Sequence, residues 1–467
     1  MSTTPAPFAH TDAGTPESAW LASDHWDGVG VLDLPAVGQR YARVLVLAAH
    51  PDDETLGIGG LMADLADAGA AVSVLVATDG ERSHPLRGTR ARAALAARRR
   101  REVQRAVGVL APTARTTHLG LPDGALAEHE AELVEEVRRR TDPDTLVIAP
   151  WLADGHADHD ALGRAAADAV SHSGADLVHY PIWLWHWGAP EALPWPDVVA
   201  SETSRTAAWR KRAALAEFPT QTTAWSDTAS TSGVTAPVLG AVMLDRARRL
   251  VETLVDPTQA LPRLPSGRLE RRAAARAQQF DRMYDDGDDP WAFEGSFYEE
   301  RRRALVLALL GCRRYGRALE IGCADGRLTE ALLERCDEVV ALDTSHQAVT
   351  AARARAPKAV VVQGMAPDDL PVGPFDLVLL SEVGYFLTPL ELIATLRRCA
   401  RSLAPGGELV LCHWQHPTEH VPLDGVLVHE QAAMALHLEH LATYLDDDLR
   451  IEVWGDGGSL ARREGRV

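Results

Sequence analysis

Two clusters of histidine and carboxylate residues in the N-terminal half could hold a metal ion. The motif AAHPDDE contains His50, Asp52 and Asp53, and the motif GHADHD contains His156 and His159. His50 and Asp53 are three residues apart, so on one helical turn their side chains can bind the same metal, which leaves Asp52 free to act. Three nitrogen and oxygen ligands with an open fourth position are typical of a catalytic zinc site. The two motifs therefore predict a hydrolytic metal centre.

A second candidate site lies in the C-terminal half. The segment LEIGCADGRLTEAL predicts a strand, a turn containing Gly322 and Gly326, and a helix. Glycines let the backbone approach a ligand closely, and the start of a helix offers N–H donors. Asp343, at the end of the next predicted strand, is placed to bind ribose hydroxyls. The dinucleotide fingerprint G-x-G-x-x-G does not occur in this segment.

Both sites follow predicted strands within two series of alternating strands and helices. The strands of the first series are expected at 43–49, 71–80, 116–124 and 144–150, and those of the second at 317–322, 338–343, 359–364, 375–380, 408–414 and 449–456. Apolar strands that alternate with helices favour a parallel sheet covered on both faces. The fold class is therefore α/β, with two tandem Rossmann-like domains, each a mostly parallel sheet with helices on both faces. Ligands of such sheets collect at the carboxyl ends of the strands.

The predicted domain boundaries follow changes in composition. Residues 1–40 are expected to form an N-terminal extension, with Trp20 and Trp26 as anchors onto the domain at 41–255. The proline-rich stretch 256–274 is the predicted linker. Residues 275–467 form the second predicted domain.

Composition narrows the class of partner. The chain has 467 residues and a net charge of −19, which argues against nucleic acid or an anionic membrane as the main partner. Its five cysteines form no C-x-x-C pair, as expected for a reducing cytosol. The sequence shows no signal peptide and no apolar run long enough to span a bilayer, so we expect a cytoplasmic protein.

The first domain resembles the PIG-L/LmbE family of zinc-dependent N-deacetylases. The resemblance rests on the HPDDE and HADH motifs, on LGLPDG between them and on WRKRAALAEFPTQT further along, and it covers about 41–255. It implies hydrolysis of the N-acyl group of a small N-acetylglucosamine-type substrate. The roles that it implies are zinc binding by His50, Asp53 and His159, general base catalysis by Asp52, oxyanion stabilisation by His156, and sugar contacts by Arg99 and Asp123.

The second domain resembles class I S-adenosylmethionine-dependent methyltransferases through its E-x-G-x-x-x-G pattern. The flanking segments DDPWAFEGSFYEERR and HWQHPTEHVPLDGVLVHE are similar to the NodS-type enzymes, which N-methylate a deacetylated amino sugar. That resemblance covers about 275–456. It implies S-adenosylmethionine as cofactor, bound by Trp291, Tyr298, Arg301, Glu320, Gly322, Gly326, Asp343, Met365 and Ala366.

An amine must lose a proton to accept a methyl group, so a proton acceptor is expected near the methyl donor. The candidates are Glu382 and Tyr385, after the fourth strand of the second series, and His413 or His416, after the fifth. Each of them could equally be a structural residue at a strand end. The family resemblance also implies two strands after the fifth, of which the sequence shows one clearly, so the other is expected to be short or to lie within 457–467.

Two further features leave alternatives open. The run RRRR at 98–101 could bind phosphate, or it could be the solvated face of a helix with one or two arginines reaching the pocket. The aromatic segment PIWLWHW at 181–187 could stack on a sugar or could pack in the core.

The two chemistries suggest consecutive steps. The hypothesis is a bifunctional enzyme that deacetylates an N-acetylated amino sugar or similar natural product and then N-methylates the exposed amine. One alternative is a deacetylase fused to an O-methyltransferase without obligatory order, and another is that one domain is an idle binding module.

Overall fold

The structure, a computed structural model, describes residues 12–224, 236–265, 268–285 and 289–467. Residues 1–11 of the predicted extension and residues 266–267 of the predicted linker lie outside the described residues. The molecule divides into two compact units, Met1–Leu264 and Pro265–Val467.

In the described part of the first unit, eight strands form one mostly parallel sheet. The strands are β1 (Gly30–Val31), β2 (Arg43–Ala48), β3 (Ala71–Thr78), β4 (Arg115–Leu121), β5 (Thr145–Pro150), β6 (Asp176–Tyr180), β7 (Val198–Glu202) and β8 (Val251–Val255). Their order in the sheet is β1-β7-β8-β6-β5-β2-β3-β4. Strand β8 runs antiparallel to its neighbours β6 and β7.

Helices cover both faces of this sheet. They are α1 (Glu17–Leu21), α2 (Leu34–Arg40), α3 (Asp53–Asp67), α4 (Thr89–Leu110), α5 (Glu130–Arg138), α6 (Ala157–Ser173), α7 (Leu184–Trp187), α8 (Arg205–Leu215), α9 (Pro219–Thr222) and α10 (Ala241–Ala247). Alternate residues of β2 enter different cores, because successive side chains of a strand point to opposite faces. Val44 and Val46 pack in the core that contains residues of α3 and α4, whereas Leu45 and Leu47 pack in the core that contains residues of α5 and α6.

The segments on either side of the first predicted domain pack onto the first unit. The buried ring of Trp20 donates a hydrogen bond from Nε1 to the Trp185 carbonyl oxygen at 2.9 Å, and β1 pairs with β7. At the other end, the Leu264 N–H donates to the Val31 carbonyl oxygen at 2.8 Å, and Arg40 Nη1 donates to the Ala260 carbonyl oxygen at 2.7 Å. The predicted linker over 256–274 therefore overlaps a stretch that is hydrogen-bonded into this unit.

The second unit contains another mostly parallel sheet. Its strands are β9 (Tyr315–Ile321), β10 (Cys336–Asp343), β11 (Val360–Gln363), β12 (Phe375–Ser381), β13 (Leu403–Trp414), β14 (Glu439–Leu445) and β15 (Leu449–Gly455). Its helices are α11 (Arg268–Asp285), α12 (Phe297–Leu309), α13 (Arg327–Leu333), α14 (His346–Arg355), α15 (Pro389–Ser402), α16 (Gly425–Ala435) and α17 (Leu460–Arg463). The strand order is β11-β10-β9-β12-β13-β15-β14, and the last two strands run antiparallel to their neighbours.

The fold class predicted from the sequence is confirmed, but the position of one strand is corrected. The strand that the sequence left undetected is β14, which precedes β15, whereas the expected segment 457–467 contains the short helix α17. Strand β14 lies at the sheet edge with mostly half-buried and exposed side chains, so it lacks a buried apolar run. Among the described residues, no helix combines the length and apolar character needed to cross a membrane.

Candidate active sites

The histidines and carboxylates of the first unit meet at the carboxyl ends of two adjacent strands. His50 and Asp53 follow β2, and His159 follows β5. Strands β2 and β5 are parallel neighbours, and the chain builds the sheet outwards from them in opposite directions. Such a switch in strand order leaves a crevice between the loops, which is where α/β sheets bind ligands.

The carboxylate of Asp53 lies between the two histidine rings. Its Oδ2 atom is 3.5 Å from Nδ1 of His50 and 3.3 Å from Nε2 of His159. Nε2 of His159 is buried without a hydrogen-bond partner. Ligand atoms at about 2.0–2.1 Å from a tetrahedral zinc ion lie about 3.3–3.4 Å apart. The donor types, the distances of Asp53 from both rings and the unpartnered nitrogen fit a zinc ion, and ring nitrogens of His50, His156 and His159 also lie within 4.8 Å of one another.

Two aspartates that the sequence analysis did not select hold the other nitrogen of each histidine. Asp154 Oδ2 is 2.7 Å from Nδ1 of His159, and Asp158 Oδ2 is 3.1 Å from Nε2 of His50. A carboxylate behind a histidine fixes its tautomer and turns the opposite nitrogen towards a metal. Both aspartates lie in or beside the GHADHD motif, close in sequence to His159. The motif could therefore have indicated Asp154 as a partner of His159, whereas the pairing of Asp158 with His50 joins residues 108 positions apart and has no local signal.

Asp52 lies beside this cluster in a strained conformation. Its φ angle is +136°, in the region that favours glycine, and it directly precedes α3. Burial raises the pKa of the Asp52 carboxyl to about 7, against the opposing charge of Arg99. Arg99 donates from Nη2 to Asp52 Oδ2 at 3.1 Å and to the Pro51 carbonyl oxygen at 2.7 Å. The structure shows Arg99 paired with the predicted general base, and its contact with a sugar stays a prediction.

His156 and Asp123 also border the cluster. The ring of His156 is centred 4.7 Å from that of His159, and its Nδ1 accepts a hydrogen bond from the Asp158 backbone. Burial and the neighbouring His159 lower the pKa of His156 to about 3, which favours the neutral ring. Asp123 Oδ1 lies 3.4 Å from Nε2 of His50. This residue, predicted to contact the sugar, is therefore a neighbour of the predicted metal ligand His50.

The aromatic segment 181–187 has one tryptophan in the core and another beside the candidate site. Trp185 is buried edge-to-face against Trp20 at 4.7 Å, whereas the ring of Trp183 is nearly parallel to that of His156 at 6.1 Å. Trp183 is half-buried. The segment therefore contributes both to the core and to the border of the candidate site.

In the second unit, most of the predicted cofactor residues line one pocket at the carboxyl ends of β9, β10 and β12. Those that line it are Trp291, Glu320, Gly322, Asp343, Met365 and Ala366. The Asp343 carboxylate accepts hydrogen bonds from the backbone of Ala324 and Ser345, both at 2.9 Å. Burial raises the pKa of the Glu320 carboxyl to about 8, and this group accepts a hydrogen bond from Thr329 Oγ1.

The two glycines of the predicted turn are required by geometry. Gly322 has φ +79°, and a Cβ atom there would lie 2.1 Å from the side chain of Val383. Gly326 has φ +82°, and a Cβ atom there would lie 2.8 Å from Cα of Ala352. Gly322 lines the pocket, whereas Gly326 allows the start of α13 to pack against α14.

Two predicted cofactor residues, Tyr298 and Arg301, are not among those that line this pocket. Arg301 donates to the Tyr444 hydroxyl and to Asp446 Oδ2, the latter at 2.9 Å, on the outer side of α12. The pocket is lined instead by Arg302, which donates to Ser381 Oγ at 2.6 Å. Adjacent residues of a helix point about 100° apart, so an error of one position moves the side chain to another face. Tyr298 packs edge-to-face against Trp414 at 5.1 Å.

Of the four candidate proton acceptors, two line this pocket and two do not. Glu382 and Tyr385 line the pocket, and the Tyr385 hydroxyl donates to Glu382 Oε2. His413 is fully buried, where its Nε2 accepts a hydrogen bond from the Gly384 backbone. His416 lies at the surface, 2.7 Å from Asp448.

One helix that contributes to this pocket was missed. Arg276, Phe280 and Tyr284 of α11 line it. Their spacing of four residues places them on one face of a helix, and this period was the available signal.

Comparison with known proteins assigns a class to each unit. Residues 45–170 match the PIG-L family model, described as GlcNAc-PI de-N-acetylase, and residues 319–411 match a methyltransferase domain model. The chain thus combines a PIG-L deacetylase domain with a methyltransferase domain.

Two curated relatives each match about a quarter of the chain. Nodulation protein S of Rhizobium tropici is 34% identical over 128 residues, which is 26% of this chain and 54% of that protein. Diacetylchitobiose deacetylase of Thermococcus kodakarensis is 33% identical over 136 residues, 28% of this chain and 50% of that protein. The chain thus spans about half the length of each. The crystal structure of the N-methyltransferase NodS from Bradyrhizobium japonicum with S-adenosylhomocysteine is 23% identical, with a TM-score of 0.35, and covers 38% of this chain and 97% of that one.

Proposed function

We propose that the chain is a bifunctional enzyme that removes an acetyl group from an amino-sugar-type substrate with the help of zinc and then N-methylates the exposed amine with S-adenosylmethionine. The observation that carries the first step is the position of the Asp53 carboxylate, 3.5 and 3.3 Å from the ring nitrogens of His50 and His159. Support for the substrate class comes from the names of relatives of the first unit, diacetylchitobiose deacetylase and the 2'-N-acetylparomamine deacetylase of Streptomyces fradiae. The latter also supports a role in natural-product biosynthesis.

In the hydrolytic step, His50, Asp53 and His159 would hold the metal. A bound zinc ion lowers the pKa of water from about 15.7 to about 7 and polarises a carbonyl oxygen. Asp52 is placed to take the proton of the attacking water and to pass it to the leaving amine. Arg99 keeps this buried carboxylate oriented and offsets its charge.

In the methyl-transfer step, the pocket residues would hold the cofactor and bring the amine into line with the methyl group. S-adenosylmethionine supplies the methyl group as a sulfonium. Asp343 is placed for the ribose hydroxyls, and its carboxylate is already oriented by two backbone N–H groups. Glu382 lines the pocket, accepts a hydrogen bond from the Tyr385 hydroxyl and would be the proton acceptor for the amine. Nodulation protein S supports an amine as acceptor, since the related crystal structure is named an N-methyltransferase.

One assay tests both steps. The purified chain is incubated with zinc, S-adenosylmethionine and N,N'-diacetylchitobiose or N-acetylglucosamine, and products are followed by mass spectrometry. Loss of an acetyl group followed by gain of a methyl group supports the proposal. A methylated product that retains its acetyl group would favour an O-methyltransferase without obligatory order, and absence of methylation on a deacetylated amine would favour an idle second unit. The Asp52→Asn variant is expected to stop both steps on the acetylated compound but to methylate the free amine.

A further inference from the structure

Helix α3, which begins at the predicted metal ligand Asp53, is broken one turn later. Ile58 has φ −140° and ψ +25°, outside the helical region. The ion pair between Lys211 Nζ and Glu252 Oε1, 2.6 Å long, lies at this break. Both side chains are almost completely buried, with 4% and 2% of their surface exposed.

The ion pair satisfies the backbone groups that the break releases. Lys211 Nζ donates to the Leu56 carbonyl oxygen at 3.1 Å, and Glu252 Oε1 accepts from the Gly60 N–H at 2.7 Å. Glu252 Oε2 accepts from the Leu61 N–H, also at 2.7 Å. In a regular helix the Gly60 N–H would bond to the Leu56 carbonyl, four residues back. The two side chains are therefore inserted between backbone groups of α3 that would otherwise bond to each other. Such an insertion is one of the recognised causes of a helix kink.

The neighbouring glycines bring the broken helix into close contact on two sides. A Cβ atom on Gly57 would lie 2.2 Å from the ring of Tyr180, and one on Gly60 would lie 2.5 Å from the side chain of Thr203. The Tyr180 hydroxyl in turn donates to the Leu47 carbonyl oxygen at 2.7 Å, near the end of β2, which leads to His50. The break thus sets the direction of the first helical turn next to the strand that carries another predicted ligand.

We infer that Lys211 and Glu252 are positioning residues, whose ion pair fixes the break in α3 and so holds Asp53 at the distance from His50 and His159 that zinc requires. The inference rests on the proposed zinc site. It assigns a role to a buried lysine and a buried glutamate that take no part in the hydrolytic step itself.

The chain offers a matched control on the same two helices. Arg210, adjacent to Lys211 on α8, pairs with Asp67 at 2.7 Å. Asp67 is the last residue of α3, at the end opposite to Asp53. This pair contacts the same helix but not the break, and it is substantially exposed, so its contribution to stability is small.

The experiment compares three full-length proteins, the wild type, Lys211→Met/Glu252→Gln and Arg210→Met. Zinc alone is titrated in competition with a chromophoric chelator, and backbone hydrogen exchange is measured over residues 53–60. The double substitution removes both charges together, because a single one would leave a buried charge unpaired. Circular dichroism checks that each protein is folded.

The expected result is a 10–100-fold weaker zinc affinity in the double variant, about the effect of losing an outer orienting partner, with faster exchange at the break. Arg210→Met is expected to match the wild type. If the double variant does not fold, Glu252→Asp, which keeps the charge but shortens its reach, is tested for the same loss. A folded variant that binds zinc as tightly as the wild type would overturn the inference alone, whereas a wild type that binds no zinc would overturn the proposed function.

Discussion

Replacing Asp154 by asparagine should weaken zinc binding although the residue is not a predicted ligand. Asp154 Oδ2 lies 2.7 Å from Nδ1 of His159, so a charged carboxylate holds this ring with Nε2 towards Asp53. The same carboxylate accepts hydrogen bonds from the backbone of Ile182, Trp183 and Leu184, at 2.9 to 3.0 Å. Its position is therefore fixed by the turn that follows β6.

The magnitude follows from the bonds that the substitution changes. Asparagine keeps one oxygen for the backbone, but its amide group replaces either the acceptor for His159 or the acceptor for the turn. A hydrogen bond to a charged group contributes about 1.5–3 kcal/mol, and loss of an outer partner typically lowers metal affinity about 10–100-fold. We expect Asp154→Asn to lose zinc affinity within that range.

The assay is a zinc titration in competition with a chelator, together with thermal unfolding in excess zinc and in excess chelator. Asp160→Asn is the matched control, because Asp160 lies in the first turn of α6, next to His159, and its Oδ1 accepts a hydrogen bond from the Gly155 backbone. The stabilisation that zinc confers should shrink in Asp154→Asn and should persist in Asp160→Asn. Equal zinc affinities for the wild type and Asp154→Asn would refute the assigned orientation of His159.

Three further outcomes are expected. Asp52→Asn should bind zinc like the wild type but lower the deacetylation rate by about 10²–10⁴-fold, as expected for loss of a general base, measured on purified protein with diacetylchitobiose. Asp343→Ala should weaken S-adenosylhomocysteine binding about 10-fold or more in calorimetry, because charge-assisted bonds to ribose are lost, whereas Arg301→Gln should leave it unchanged. Gly326→Ala should lower the free energy of unfolding in urea by about 1–3 kcal/mol, and more than Gly406→Ala, which has a similar φ but no atom within 4 Å of the added Cβ.

The parts of the fold that the sequence predicts well are those whose signal is local. The parallel strands β2, β5 and β10 are buried apolar runs, so their positions agree with the sequence prediction within one or two residues. Strand β14 carries no such run, because it lies at a sheet edge. Strand β8 pairs antiparallel to the two strands beside it, and that pairing depends on tertiary contacts rather than on its own composition.

The candidate sites likewise contain residues that a local sequence signal could predict and residues that depend on tertiary contacts. The predicted ligands His50 and Asp53 lie in one short motif, but His50 lies in the turn before α3 rather than on the expected helical turn. The non-helical Asp52 between them brings the two side chains together, and the residue spacing alone did not show this. Arg302 was missed in favour of Arg301 because the sequence shows an arginine run but not which member faces inward. Residues that orient the ligands, such as Asp154, act across loops whose approach is set by the whole sheet.

The buried histidines of the second unit narrow the choice of proton acceptor for methyl transfer. Nε2 of His413 accepts from the Gly384 N–H at 3.1 Å, and its Nδ1 lies 3.2 Å from Nε2 of His429. Nδ1 of His429 in turn lies 2.8 Å from Glu452 Oε2. Burial lowers the pKa of both histidines, which favours neutral rings. With the proton on Nδ1 of each ring, His413 donates to His429 and His429 donates to Glu452, so every ring nitrogen has a hydrogen-bond partner. Both ring nitrogens of His413 are then engaged, so neither is free to accept a proton from an amine. We expect His413 instead to hold the loop that contains Glu382, which lines the pocket.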